Sequence, residues 1–361
     1  MTKKLKVNIL DLAPVSQGMS RKQALDASLE VAKMADQIGY HRYWMAEHHG
    51  STAFMSSATS LLLTRAAEHT ERIRLGAGGV MLPNHAPLMV AEYYGTLATI
   101  YGDRIDLGLG RAPGTDPVTA AALKRGSAEL HDFNDAVAQL HNYFAEDDTS
   151  EVATEIRGSE AAALGFRFTP EHPLTKVRAI PGQGTKVPLW MLGSSMGGAL
   201  VGSSLGLPYV FASHFAPTQM ESALQTYRTN FNADAPTAEI NKPYVMAGIN
   251  LMVAPTDEEA NYLYTTTQQM RSHIRRGHGG QLQPPVENLE DALGQAEAGL
   301  VSSIPTIKAV GSPARAARAV TDFANKHQLD EVIVVCWGYD PAKRIESLRL
   351  LAAELDLASS L

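Results

Sequence analysis

The chain has 361 residues, of which 45% are hydrophobic and 19% charged, and its formal net charge is −7 at pH 7. Because the balance is acidic and the basic residues are scattered, we expect neither nucleic acid nor an anionic membrane surface as a main partner. A single cysteine, Cys336, excludes an intramolecular disulfide and any metal site built from several cysteines.

The amino-terminal stretch MTKKLKVNILDLAP is basic, but its apolar run is too short for a signal peptide. No stretch of the chain reaches the roughly 20 apolar residues that span a bilayer. We therefore expect a cytoplasmic protein.

Short β-rich runs alternate with segments of helical periodicity along the chain. Ser20 and Gln23 have the spacing of a capping box for the first helix, and Gly39 is placed for its left-handed C-cap. The eight predicted strands are, in chain order, KVNILDL, YHRYWMA, IRLGAGGVML, RIDLGLG, KVPLWMLG, LPYVFAS, PYVMAGINLMVA and DEVIVVCWG. Later helices are predicted at about 57–68, 87–101, 119–144, 195–205, 218–231 and 257–276, and from Pro313 and Pro341 onward.

Eight strands, each followed by at least one helix, predict an α/β fold of the (β/α)8 TIM-barrel type. The alternative is a pair of doubly wound domains, but no stretch of linker-like composition divides the chain. We predict one domain over residues 1–361, with insertions after strand 4 (147–186) and strand 7 (274–291). The second insertion is rich in Gly, Pro and His; it is either a lid over the barrel mouth or a plain surface loop.

Active-site groups of such barrels lie at the carboxyl ends of the strands. Glu47, His48 and His49 end the second predicted strand. Neighbouring residues of an extended segment point to opposite sides, so the two histidines cannot easily bind one metal ion, and we predict no metal site. Two roles stay open for the trio: a buried structural pair with the carboxylate, or a histidine facing the mouth as an acid, a base or a hydrogen-bonding group.

Glycines and serines mark the ends of three further strands. Gly78 and Gly79 indicate close approach of a ligand or another backbone, and a β-bulge explains them equally well. Ser194 and Ser195 precede a helix, whose N-terminus with two hydroxyls suits a phosphate; simple N-capping is the alternative. Arg111 supplies a fixed cation after the fourth strand.

The segments AEHHG, GAGGVMLPNHAPLMVAEYYGTLATIYGDRIDLGLGRAPG and LGSSMGGALVGSSLGLPYVFASHF together resemble the bacterial luciferase-like flavin monooxygenases, in particular their single-subunit branch. The resemblance runs in order over essentially the whole chain. It implies a TIM barrel that binds FMN, or reduced FMN delivered by a separate NAD(P)H:flavin reductase. It also implies activation of O₂ through a C4a-peroxyflavin and oxidation of a small organic substrate.

The same resemblance implies roles for residues at the second and third strands. His48 corresponds to the family's catalytic histidine beside the flavin, and Glu47 to the carboxylate that orients or charge-balances it. His49 is expected to face the other way and to be structural. Gly78 and Gly79 stand where luciferases have a non-prolyl cis peptide against the flavin ring.

At the fourth and fifth strands, Arg111 corresponds to a flavin-contacting arginine, and Ser194 and Ser195 to the phosphate-binding turn. Gly110 replaces the reactive cysteine of luciferases, so no thiol chemistry is expected at the flavin. Ser194 replaces an acid, and Arg125 is the one candidate for a second phosphate-binding arginine. These departures argue against bioluminescence.

The family also has F420-dependent members, so an F420- or NAD(P)H-dependent oxidoreductase is the alternative function. A non-catalytic flavin-binding protein on the same barrel is a third. Because luciferase-like barrels often pair through the helices of their second and third units, the resemblance further implies a homodimer.

Overall fold

Parallel strands dominate the structure, a computed structural model that describes residues 4–123, 126, 130–146, 172–277 and 279–360. The strands among these residues are β1 (Lys6–Asp11), β2 (Arg42–Met45), β3 (Arg74–Met81), β4 (Ile105–Gly110), β5 (Leu189–Gly193), β6 (Tyr209–Phe211), β7 (Val245–Val253), β8 (Lys308–Gly311) and β9 (Glu331–Val335). Strands β1 to β7 pair in sequence order, and β9 pairs with both β7 and β1. This closed ring of eight strands confirms the predicted TIM barrel.

Helices connect the strands. In the described residues they are α1 (Arg21–Ile38), α2 (Thr59–Ala67), α3 (Pro87–Tyr101), α4 (Pro117–Ala122), α5 (Leu130–Phe144), α6 (Met196–Ser204), α7 (Met220–Thr229), α8 (Asp257–Arg275), α9 (Leu289–Leu293), α10 (Gln295–Ser303), α11 (Pro313–Lys326) and α12 (Pro341–Glu354). The predicted capping box is present at α1, where Ser20 and Gln23 bond reciprocally, and Gly39 ends the helix at φ 94°. None of these helices is both long and apolar enough to cross a bilayer.

Three short elements differ from the expectation. The predicted irregular stretch before Pro313 contains α9, α10 and β8, and β8 pairs with the outer half of β7, Asn250 to Val253, outside the barrel. The single helix predicted at 119–144 is two helices, α4 and α5. Elements of four to nine residues are too short to show a clear hydrophobic period. Contacts with neighbouring elements therefore decide whether such a segment forms a helix or a strand.

The structure describes the two predicted insertions to different extents. Most of 147–186 lies outside the described residues, so that insertion stays a prediction. Within 274–291, Leu282 is buried and bonds the loop after β1: its N–H donates to the Val15 carbonyl and its carbonyl accepts from Gln17, both at 2.8 Å. This segment therefore contacts the loop after β1, and both the insertion and the choice between a lid and a surface loop stay predictions.

The apolar core has two parts. One lies between the strands and the helices, and the other fills the barrel interior, where Leu10, Trp44, Trp190 and Met246 pack together. At the amino-terminal end of the strands, the buried Arg42 forms ion pairs with carboxylates of β4 and β9. Because this end is closed by paired charges and aromatic rings, the accessible end is the carboxyl end.

Candidate active site at the barrel mouth

His48 lies directly after β2, inside the barrel mouth. Its ring packs against Phe54 with centroids 5.6 Å apart, and its buried Nδ1 has no hydrogen-bond partner among the described residues. Burial lowers the pKa of His48, and the Ala46 carbonyl and Glu47 oppose the shift only in part. The imidazole is therefore neutral near pH 7, with one nitrogen available to donate or accept a proton.

Glu47 is the centre of a second, separate cluster. Nε2 of His49 lies 2.7 Å from Oε1, and Nε2 of His85 lies 2.9 Å from the same oxygen. The Met81 N–H donates to Oε2 at 3.3 Å. Burial on its own raises the pKa of Glu47, but the hydrogen bonds from His49 and His85 outweigh it and hold this pKa at about 2. The carboxylate is thus ionised at neutral pH.

These contacts correct one expectation about the trio. The neighbouring histidines do point apart, as the extended backbone predicted: His48 packs on Phe54, while His49 bonds Glu47. Glu47 was expected to orient or charge-balance His48, but its hydrogen bonds go to His49 and His85, so it acts on His48 only through its charge. The physical reason is that a side chain two residues away along a strand shares its face, whereas the next residue does not.

Sequence spacing did not predict the contact of His85 with Glu47, because the two residues lie far apart along the chain. The only signal was its place in the NHAPL part of the resembling segment. Glu47, His49 and His85 each offer a ligand atom, and all three atoms lie within 4.8 Å of one another, so the set could hold a metal ion. The prediction of no metal site was based on sequence spacing, which does not connect His85 with Glu47, and it stays a prediction.

The peptide bond between Gly78 and Gly79 is cis, as the resemblance implied. The pairing of β3 with β4 also shifts by one residue between Ala77 and Val80, so a bulge is present as well. A Cβ on Gly78 would lie 2.7 Å from Cδ1 of Leu10, and one on Gly79 would lie 2.7 Å from the Gly108 carbonyl oxygen. The neighbouring atoms, a side chain at Gly78 and backbone at Gly79, leave no room here for a Cβ.

Arg111 and the serines meet at the start of α6. Ser195 is the N-cap residue, yet its hydroxyl makes no capping hydrogen bond. The Met196 N–H instead donates to the Gln219 side chain at 3.3 Å. A Cβ on Gly197 would lie 2.6 Å from Nη2 of Arg111, so the guanidinium reaches the first turn of the helix. Capping therefore does not explain the Ser195 hydroxyl.

Ser194 and Gly110 are the chain neighbours of Ser195 and Arg111, respectively. Ser194 lies half-buried between β5 and the N-cap. Gly110 ends β4 next to Arg111, and a Cβ there would lie 2.8 Å from the Met81 sulfur. Arg125 lies outside the described residues.

Two mouth residues were not predicted. His214 follows β6 and stands directly over β7, where a Cβ on Gly248 would lie 2.2 Å from its Nδ1. Burial, with Arg271 and His48 nearby, lowers the pKa of His214 to about 4. Trp337 follows β9 and packs on Phe54 at 5.3 Å. Nδ1 of His214 and Nε1 of Trp337 are buried with no hydrogen-bond partner in the described part of the chain.

Comparison with known proteins assigns the family. A family model described as luciferase-like monooxygenase matches residues 5–328. A relative named luciferase-like monooxygenase, from Escherichia coli (strain K12), is 40% identical over 349 residues, which are 96% of this chain and 96% of the relative. The chain belongs to the luciferase-like monooxygenase family. Membership confirms the resemblance and makes the protein an oxidoreductase of this family.

Several solved structures are similar to this chain in fold. Apo-MsnO8 matches with a TM-score of 0.80 and 30% identity, covering 98% of this chain and 99% of that one. The oxygenating constituent of a type II Baeyer-Villiger monooxygenase in complex with FMN shares the fold at a TM-score of 0.67 and 17% identity, covering 98% of both chains. An F420-dependent secondary alcohol dehydrogenase does so at 0.65 and 14%, covering 98% and 99%.

Proposed function

We propose that this chain is an FMN-dependent monooxygenase that uses O₂ to oxidise a small organic substrate without emitting light. The reduced FMN would come from a separate NAD(P)H:flavin reductase. The observation that carries the proposal is the convergence of Arg111, the uncommitted Ser195 hydroxyl and the N-terminus of α6. A cation, a hydroxyl and the N–H groups of a helix N-terminus together are suited to a phosphate monoester, the charged end of FMN.

The residues at the other end of the mouth fit the flavin ring. Gly78 and Gly79 are buried and have no side chains, and Leu10 and Trp44 pack against Gly78. A flat ring system can approach such a surface closely because no side chain intervenes. Reduced FMN, when bound, supplies the electrons that activate O₂ for transfer of one oxygen atom to the substrate.

The protein's own part in the chemistry would fall to His48. Its lowered pKa keeps the ring neutral near pH 7, so Nδ1 can hold or pass a proton in the mouth. Phe54 packs on His48 and Trp337 packs on Phe54, and these rings would limit the access of water to the site. Glu47 would act indirectly, because it holds His49 and His85 in place. The His49 N–H in turn donates to the Gly114 carbonyl, in the loop that carries Arg111, at 3.3 Å.

Ligand titration tests the proposal. Binding of FMN, riboflavin and F420 is followed by fluorescence with wild type, Arg111→Met and Arg276→Met, the last being an exposed arginine at the end of α8. FMN is expected to bind more tightly than riboflavin, and Arg111→Met to weaken FMN binding by about tenfold or more. Riboflavin binding should not respond to Arg111→Met, and Arg276→Met should leave both affinities unchanged. Equal affinity for FMN and riboflavin would contradict a phosphate site at α6.

Oxygen reactivity tests the catalytic part. Reduced FMN bound to the protein is mixed with oxygenated buffer, and reoxidation is followed by stopped-flow absorbance. If the protein is a monooxygenase, the time course of reoxidation of bound FMN is expected to differ from that of free FMN. In the His48→Ala variant, the time course should match that of free FMN. Reoxidation identical to that of free FMN in the wild type would argue for a non-catalytic flavin-binding protein.

An F420-dependent oxidoreductase is the second candidate, because a protein of the same fold uses F420. The same phosphate-binding residues would serve either cofactor. Tighter binding of F420 than of FMN in the titration above would favour this candidate over the first.

We also propose a homodimer formed through α2 and α3. Four large apolar side chains on these helices are exposed: Leu61 (70%), Met89 (43%), Tyr93 (45%) and Ile100 (61%). Exposed apolar side chains concentrated on neighbouring helices are typical of a protein–protein interface.

A further inference from the structure

A cavity of about 180 Å³ lies beside the barrel mouth, between α8, α10 and the added strand β8. Its polar lining consists of Tyr264, Gln268, Arg271, Ser302, Thr306 and Lys308. None of the described residues that line it is acidic. Two cations and several donors therefore face one space that has no negative charge of its own.

The two cations in this cavity contact neutral groups and form no ion pair with a carboxylate of the described residues. Arg271 donates from Nη1 to the Thr306 hydroxyl at 2.7 Å and has no carboxylate partner within the described ranges. Lys308 lies over the Tyr264 ring, with Nζ 5.3 Å from its centroid. A cation that is fixed by a neutral hydroxyl keeps its charge available for an anion.

Tyr264 is the second, independent indication of a ligand. Its side chain is 3% exposed, and its buried hydroxyl meets no hydrogen-bond acceptor in the described residues. Burial raises the pKa of Tyr264, although the charge of Arg271 and a hydrogen bond from its guanidinium oppose the shift, so the hydroxyl retains its proton at neutral pH. A guanidinium can only donate, so it does not accept the hydroxyl proton. A buried donor without a partner is costly unless something else accepts its proton.

The cavity adjoins the proposed catalytic site through α8. The residues before Arg271 on this helix face the mouth: Met270 packs in the barrel interior, and the Thr267 hydroxyl donates to the Trp337 carbonyl at 3.4 Å. Arg271 lies near enough to His214 to lower the pKa of that imidazole, and so does His48. His214 is therefore a neighbour of both Arg271, in the cavity, and His48, in the mouth.

We propose that this cavity is an anion subsite that binds the carboxylate or sulfonate of the organic substrate, an inference that rests on the monooxygenase function proposed above. Arg271 and Lys308 supply the positive charge, and the Tyr264 hydroxyl donates to an anion oxygen. The apolar part of the same substrate extends toward His48. The substrate class is accordingly a small organic acid with a singly charged end.

Calorimetric titration of the cofactor-free protein tests the subsite directly. The probes are butyrate and propanesulfonate, with butyramide as the neutral counterpart of butyrate. One equivalent of each anion is expected to bind, and butyramide is not. Arg271→Met should weaken anion binding by about tenfold or more, and Tyr264→Phe by about threefold to tenfold.

Matched variants separate the subsite from other effects. Arg271→Lys retains the charge and should keep most of the affinity, which distinguishes loss of the cation from loss of local structure. Arg318→Met, at an exposed arginine of α11, should change nothing. Butyrate binding that survives Arg271→Met, or that is lost in Arg111→Met instead, would overturn the assignment, as would the absence of saturable binding across the millimolar range. FMN titration of the same preparations reports on the proposed function independently.

Discussion

Nη2 of Arg111 stands 2.6 Å from the point that a Cβ of Gly197 would occupy, so the cation rests on the first turn of α6. A real Cβ never approaches a neighbour so closely, and a methyl group here would push the guanidinium away from the helix N-terminus. This contact joins the end of β4 to the helix after β5 and defines the proposed phosphate site.

Gly197→Ala is therefore expected to weaken FMN binding by about tenfold, because the displaced guanidinium no longer supports a charge-assisted hydrogen bond. Fluorescence titration measures the effect. Gly299→Ala is the matched control: this glycine lies in α10 with nothing near its missing Cβ, so the substitution should spare FMN binding and raise stability by up to about 1 kcal/mol. Wild-type FMN affinity in Gly197→Ala would contradict the role of Arg111.

Glu47→Gln is expected to lower the free energy of unfolding by about 2 to 3 kcal/mol at pH 7, since the folded-state pKa of Glu47, about 2, lies well below its ordinary value of 4.5. A depressed carboxyl pKa stabilises the folded state above pH 4.5, and this contribution disappears as the pH falls toward 2. Denaturant unfolding at several pH values measures the difference. It should shrink below pH 4.5, whereas the exposed Glu354→Gln should show no loss at any pH.

Gly79→Ala should destabilise the protein more than Gly78→Ala. The new Cβ would meet the Gly108 carbonyl in the first variant, which is backbone of a central strand, but the end of the flexible Leu10 side chain in the second. Overpacking against a rigid partner costs about 1 to 3 kcal/mol, and a movable side chain reduces that cost. Thermal unfolding compares the two. Equal melting temperatures would show that β4 yields as easily as Leu10.

Leu61→Glu is expected to shift the protein from dimer to monomer, because it places a charge in the exposed apolar face of α2 and α3. Sedimentation velocity measures the change. Val118→Glu is the control, since Val118 is 80% exposed but lies on α4, outside that face. A wild-type protein that sediments as a monomer would remove the dimer proposal altogether.

Local features were predictable from sequence. All eight barrel strands were found because each is a short β-rich run between turn residues, and the capping box at Ser20 is a spacing rule within one turn of helix. The cis bond at Gly78 and Gly79 was implied by family resemblance, since it depends on two adjacent residues. By contrast, β8 has only four residues, and its strand character comes from pairing with β7.

The candidate site was likewise predictable from sequence only in part. The chain by itself determined which strand ends carry His48, Glu47, Arg111 and Ser195, because strands and their order follow from local periodicity. Only the closed barrel decided that Glu47 bonds His85 and that Arg111 reaches Gly197, and likewise that Tyr264 shares a cavity with Lys308. Those contacts join side chains on different strands and helices, and their distances are set by barrel closure and strand register, which no local stretch of sequence contains.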